Sequence, residues 1–208
     1  MNTYTQIESQ ILSFIDNEKN GDFDSLIIQA HLFQKANCKP LRKYCDSVCK
    51  EPESWKNIPP LPTEAFRDSK KKIISFSEKQ IVSTFLTSGT TGETKGAHHF
   101  SNLKLYEKSI RTSWQNLLLP ELPLICLAQS PIAAPDSSLI HMLATLGGKF
   151  LINSNGHLDH SKVELIIKRS NRPIILAGTA LALLHLFESG ENIPPLPDNS
   201  WVMETGGY

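Results

Sequence analysis

The chain has 208 residues, with 21 Lys and Arg against 21 Asp and Glu and a formal net charge of zero. That length makes one ordinary domain, or one domain with a small appendage, and leaves ample chain to bury a core. Charge is spread over both halves and the one basic run, Lys70-Lys71-Lys72, reads as a solvated turn, which excludes nucleic-acid binding driven by a clustered positive face.

Residues 1–20 contain Glu8, Asp16 and Glu18 and no basic region followed by an apolar one, so no targeting segment is expected. Residues 7–15 carry one apolar stripe (Ile7, Ile11, Leu12, Phe14, Ile15) and residues 26–33 another (Leu26, Ile27, Ala30, Phe33). Pro40 suits a first helical turn, and Leu41, Tyr44, Cys45, Val48 and Cys49 follow at i, i+3, i+4, i+7 and i+8, an amphipathic period. The spacing predicts a helical segment over residues 1–51. Prolines from Pro52 to Pro62 cannot continue a helix, and a linker is expected over 52–71.

Residues 72–208 alternate between strand and helix patterns. Strands are expected at 72–77 and 81–87, with Glu78-Lys79 near the turn, and a Gly/Thr-rich loop at 88–96. Ser101 is the expected cap of a helix to about Leu118, with Leu103, Tyr106, Ile110 and Trp114 on one face. There follow a strand at 122–129, a helix at 137–146 stopped by Gly147-Gly148, and a strand at 149–152. A helix from Asp159 to Arg169, a strand at 173–177, a helix at 179–188 and a strand at 201–204 complete the series. The pattern predicts an α/β fold, a mostly parallel sheet with flanking helices, preceded by the helical N-terminal segment. The longest apolar stretch, Ile174–Phe187, is interrupted by Gly178, Thr179 and His185. It is too short to cross a bilayer, so no integral membrane segment is expected. Four cysteines and no export signal imply reduced thiols and a cytoplasmic location.

The loop is the richest segment chemically. Ser88, Gly89, Thr90, Thr91, Gly92, Glu93, Thr94, Lys95 and Gly96 combine three glycines, four hydroxyls and one lysine directly after an apolar strand. Glycines let backbone amides approach a ligand closely, hydroxyls add donors for anionic oxygens, and lysine adds a point charge. A polyphosphate suits such a loop best. It has neither the Gly-Lys-Ser/Thr of a Walker A loop nor the Gly-x-Gly of a dinucleotide site.

The order Thr-Ser-Gly-Thr-Thr-Gly-x-x-Lys-Gly resembles the phosphate loop of adenylate-forming enzymes: acyl-CoA synthetases, peptide-synthetase adenylation domains and luciferases. The resemblance implies that Ser88, Gly89, Thr90, Thr91, Gly92 and Lys95 hold the ATP β- and γ-phosphates while a carboxylate attacks the α-phosphate, giving an acyl-adenylate and pyrophosphate. Thr94 departs from the pattern, which usually has proline there. Glu204-Thr205-Gly206-Gly207-Tyr208 is the second match; a Gly-Gly segment at this point packs its backbone on adenine in that superfamily. The superfamily's following elements, including an aspartate for the ribose and a mobile domain with a catalytic lysine, are expected beyond Tyr208. The chain is therefore expected to be an incomplete N-terminal domain of such an enzyme, weakly active or inactive alone, and no catalytic residue is assigned.

Four further segments sharpen the resemblance. Tyr44-Cys45, Ile58-Pro59-Pro60-Leu61-Pro62-Thr63-Glu64-Ala65-Phe66, and Asp136-Ser137-Ser138-Leu139-Ile140-His141-Met142 with Ala177–Leu184 are similar in kind and order to the acyl-protein synthetase of bacterial bioluminescence and its relatives. That family implies ATP with Mg²⁺, a carboxylic (fatty) acid substrate, acyl transfer to a protein thiol, and an acyl reductase or acyl-carrier partner. A truncated, non-catalytic nucleotide-binding or scaffold remnant and an acyl-CoA ligase are the alternatives.

Four other residues are candidates for the substrate site. His98 and His99 follow the loop, and either a nucleotide- or carboxylate-facing role or a solvated loop position fits them. Ser137 and His141 lie at the start of a helix whose amides can hold an anion. Cys38, Cys45 and Cys49 with His98 or His99 are conceivable metal ligands, although the helical stripe explains Cys45 and Cys49 as core. No metal ligand is assigned. Cys126, in a buried-type strand, is expected to be inert. No Gly-x-Ser-x-Gly elbow and no close carboxylate pair argues for a hydrolase.

Overall fold

Three apolar-striped stretches form helices in a computed structural model of the chain, which describes residues 3–16, 22–48, 51–68, 70–87, 94–118, 121–188 and 193–205. They are α1 (Tyr4–Asp16), α2 (Phe23–Asn37) and α3 (Lys39–Val48). The Asp22 carboxylate caps α2 by accepting from the Ser25 N–H at 3.1 Å. Arg42 donates to the carbonyls of Lys35 and Ala36 in the last turn of α2, where otherwise unpaired carbonyls collect. In α3, Leu41 and Cys45 are buried with Cys38, but Val48 is 51% exposed. The expected stripe thus holds for one turn, and Cys49 lies outside the described residues.

The contacts divide the chain into two units, Met1–Thr112 and Ser113–Tyr208. Residues 52–71, expected as a linker, lie inside the first unit. Short 3-10 turns at Trp55–Asn57 and Thr63–Arg67 replace helix there. The Tyr44 hydroxyl donates to the Pro60 carbonyl at 2.8 Å, and Leu61 and Ile73 pack on the Cys38–Leu41–Cys45 cluster.

No strand forms at 72–77, because Ser77 closes a 3-10 turn over Glu78–Gln80 with a reciprocal capping box. The strand pair is instead β1 (Ser83–Leu86) and β2 (Ala97–Phe100), antiparallel, with Phe85 opposite His98 and Thr84 opposite His99. β2 was not expected; its four residues follow a polar loop too closely to show a period of their own. The next helix, α4 (Lys104–Asn116), is not capped by Ser101. The Asn102 side chain accepts from the Lys104 N–H at 3.0 Å instead.

The second unit is a four-stranded parallel sheet. Its elements are β3 (Leu124–Gln129), α5 (Ser138–Thr145), β4 (Lys149–Ile152), α6 (His160–Arg169), β5 (Ile175–Thr179), α7 (Ala180–Glu188) and β6 (Trp201–Thr205). The strand order is β4-β3-β5-β6. The α/β expectation holds here, but the first unit's strand pair is antiparallel and separate. Period-2 alternation sorts the core. Ile125, Leu127, Ile174 and Leu176 meet Val163 and Ile167 of α6 and Leu183 and Leu186 of α7. Leu124, Cys126, Ile175 and Ala177 meet Leu143 of α5, with Trp114 packed beside them. Burying each such aliphatic side chain contributes about 1.5–3 kcal/mol, so the doubly covered strands are apolar throughout.

Helix ends in this unit follow the expected chemistry. Ser137 accepts from the Ile140 N–H, Asp159 from the Lys162 N–H and Thr179 from the Ala182 N–H. Gly147, at φ +80°, ends α5, with the Gly148 N–H bonded back to the Leu143 carbonyl at 2.9 Å. No helix among the described residues is long and apolar enough to cross a membrane.

Candidate phosphate loop and sheet-edge site

The Gly/Thr loop is the connection of the β1–β2 hairpin, and its base is closed twice. The Thr87 N–H donates to the Gly96 carbonyl at 2.9 Å, and the Gly96 N–H donates to Thr87 Oγ1 at 2.9 Å. Space beside residue 96 is tight. A Cβ there comes within 3.3 Å of both Cγ2 and Oγ1 of Thr87 and 3.5 Å of Phe66 Cβ. Ser88, Gly89, Thr90, Thr91 and Gly92 lie outside the described residues. Lys95 is exposed one residue before the closed base.

The two histidines after the loop are strand residues rather than loop residues in water. Both are half-buried, on opposite faces of β2. The His98 ring stacks on Phe66, centroids 4.3 Å apart at 30°. On the other face, His99 Nδ1 hydrogen-bonds Thr84 Oγ1 at 2.8 Å. Burial, then the charge of Lys72, holds the His99 imidazole below its ordinary value, against a smaller upward pull from Glu78. The pair therefore builds the hairpin that presents the loop. No group of three His, Cys, Asp or Glu side chains suited to a metal occurs among the described residues. Cys45 is a core thiol, as its helical position implies, and Cys38, the residue that ends α2, is buried beside it.

The basic run behaves as expected for two of its members. Lys70 and Lys71 are exposed, with their N–H groups on the Asp68 carboxylate, while Lys72 pairs with Glu78.

In the second unit the sheet topology marks one end. α5 leaves β3 toward one face and α7 leaves β5 toward the other, so neighbouring strands part their connections at their C-terminal ends. Open α/β sheets bind ligands at such a switch point. Ser137 sits on the connection after β3, as the cap of α5, and His141 is half-buried in its first turn. β6 ends at the same edge with Thr205, whose hydroxyl donates to the Gly178 carbonyl at 3.2 Å. Gly206, Gly207 and Tyr208, next in the chain, lie outside the described residues. Gly178 itself is tight: a Cβ comes within 3.2 Å of Leu127 Cβ. Thr179 and Thr205 were missed by sequence reasoning, since only the parallel register of β5 and β6 shows that they reach the sheet edge together. Cys126 is fully buried, and burial pushes its thiol up to about 12, which makes it inert as expected.

Comparison of the chain with protein-family models, with curated proteins and with solved structures gives no match.

Proposed function

We propose that the chain takes part in ATP-dependent activation of a carboxylic acid, of the kind carried out by acyl-protein synthetases among the adenylate-forming ligases. The observation that carries the reading is the loop from Ser88 to Gly96, with its three glycines, four hydroxyls and Lys95, mounted on a hairpin whose base is pinned by Thr87 and Gly96. A pinned base fixes both ends of the loop, which limits the conformational entropy that binding a ligand costs. In this reading Thr90, Thr91, the loop amides and Lys95 hold the β- and γ-phosphates and stabilise the leaving pyrophosphate.

Mg²⁺ arrives on the phosphate oxygens of the nucleotide, as hard, hydrated Mg²⁺ commonly does in ATP-dependent enzymes. Gly206, Gly207 and Tyr208 are assigned to adenine, and Ser137 and His141 to the carboxylate substrate. Acyl transfer to a protein thiol, with a reductase or carrier partner, is the proposed continuation. The parallel sheet with a switch point supports this assignment as a fold suited to a nucleotide or small acid.

The test is carboxylate-dependent exchange of pyrophosphate into ATP across a panel of short to long fatty acids, alongside calorimetric titration with MgATP. Exchange with any acid supports the reading. Saturable ATP binding without exchange assigns the chain to a nucleotide-binding module instead, and the absence of both overturns the proposal.

A further inference from the structure

β6 forms one edge of the parallel sheet, with β5 as its partner on one side and no described strand on the other. The β5–β6 register runs from Trp201 to Thr205 without a bulge. The Trp201 N–H bonds inward, to the Ile174 carbonyl at 2.9 Å. Backbone groups alternate in direction along a strand, so Trp201, Met203 and Thr205 turn theirs to β5, and Val202 and Glu204 turn theirs outward. Natural sheet edges are commonly blunted by lysine, proline or a bulge, and Trp201–Thr205 has none of these. The strand is also apolar where it is open, with Trp201 50% and Val202 53% exposed. Val202 shares the register of Leu176, which places it on the sheet face that α7 covers; Leu181, Leu184 and Phe187 of α7 are exposed as well.

We propose that this edge is a homodimer interface, in which β6 pairs antiparallel with β6 of a second copy about a two-fold axis through Met203. The two four-stranded sheets then become one continuous sheet. The chemistry of the occupant follows from the edge, because a row of outward N–H and C=O groups takes an extended backbone. The edge also complements itself. With Val202 of one copy opposite Glu204 of the other, each outward N–H meets an outward C=O at both positions. The neighbouring two-fold registers fail. Centring on Val202 sets Glu204 opposite Ser200, whose N–H is already bonded to the Pro197 carbonyl at 3.1 Å. Centring on Glu204 sets two carboxylates directly opposite each other, which is destabilising. In the Met203 register Glu204 lies opposite a valine and Trp201 opposite Thr205. The pairing is isologous and consumes the edge of both copies, so assembly stops at two chains. It needs no part of the Ser88–Gly96 loop, and its failure leaves the adenylation reading untouched.

The experiment is sedimentation velocity of the full chain, with reductant, across the micromolar range. A concentration-dependent dimer is expected. Val202→Pro removes an outward N–H that β5 does not use, a position where edge strands accept proline. It is expected to weaken the dimer at least tenfold with unchanged far-UV dichroism. Val202→Glu sets carboxylates opposite each other across the seam and is expected to do the same; adding Glu204→Lys makes the opposed charges opposite in sign and is expected to restore the dimer. Val202 and Glu204 are exposed, so this charge swap keeps the test decisive if Val202→Pro fails to fold. A chain that stays monomeric at every concentration overturns the proposal. So do assemblies larger than two chains, a dimer of wild-type affinity in a folded Val202→Pro or Val202→Glu variant, or no recovery in the charge-swapped double variant.

Discussion

Thr87 and Gly96 hold each other by two hydrogen bonds of 2.9 Å, one to a carbonyl and one to a hydroxyl, across the mouth of the β1–β2 hairpin. A serine at 87 preserves this clamp and a valine breaks half of it. Thr87→Val leaves the buried Gly96 N–H without its acceptor and is expected to cost about 1–3 kcal/mol. Gly96→Ala forces a Cβ to 3.3 Å from Thr87 and is expected to cost about 1 kcal/mol. Urea unfolding and exchange of the Gly96 amide check both; a protection factor unchanged in Thr87→Val removes the hydroxyl from the clamp.

Lys95 is exposed, so its removal separates binding from folding. Lys95→Ala is expected to leave stability within about 0.5 kcal/mol of wild type. ATP affinity is expected to fall at least tenfold, about 1.4 kcal/mol. Lys95→Arg restores charge and recovers part of the loss. Equal MgATP affinity in wild type and Lys95→Ala contradicts the phosphate assignment.

Gly148 sits against Cys126: a Cβ placed there comes 2.6 Å from Cys126 Sγ and 2.8 Å from the Leu143 carbonyl. Gly148→Ala is expected to destabilise by about 2–4 kcal/mol, with partial recovery in the double variant with Cys126→Ala. The thiol also links stability to pH. Its folded value, about 12, lies above its ordinary 9.0, so the folded chain keeps a proton that the unfolded chain loses. The contribution is fully present below pH 9 and is lost as pH rises toward 12. Cys126→Ala is expected to flatten that decline in stability. Native Cys126 is expected to resist alkylation at pH 8 and to react only on unfolding.

Glu8 is buried on α1, and its Oε1 accepts from the Tyr4 hydroxyl at 2.9 Å and from Asn102 Nδ2 at 2.8 Å; that same nitrogen also lies 2.8 Å from the Tyr4 oxygen. Asp16 pairs with Lys108 farther along the same two helices. Asn102→Ala removes a donor from a buried carboxylate and one cap of α4, with an expected cost of about 2–3 kcal/mol. Lys108→Ala, on an exposed pair, is expected to cost under about 1 kcal/mol. Thermal melts of the two variants measure the contrast; equal costs contradict the buried-network account.

The second unit was legible almost throughout. Its two central strands, β3 and β5, are mostly apolar and buried over their first four residues, and its helices open on Ser137, Asp159 and Thr179, with α5 closing on Gly147. Local signals agree with tertiary packing there, so boundaries moved by two residues or fewer at each end. The first unit was less legible for a stated reason in each case. Residues 72–77 have strand propensity, yet a capping box at Ser77 turns the chain before any partner is met. Residues 97–100 lack a strand signal of their own and become β2 only because β1 supplies the ladder. Prolines 52–62 break helices, as read, but pack as a wall of the first unit instead of linking two domains.

For the site, the sequence alone determined the loop: glycine, hydroxyl and lysine density is a local property and needs no neighbours to be seen. It also determined the even charge balance along the chain and the burial of Cys126, because charges and apolar runs are written in order along the chain. Only the tertiary structure decided that His98 and His99 brace a hairpin, that Thr87 and Gly96 clamp it, and that β6 lies at the edge of the sheet. Each of those depends on residues far apart in sequence meeting through pairing or packing, and no spacing rule within one segment carries that information.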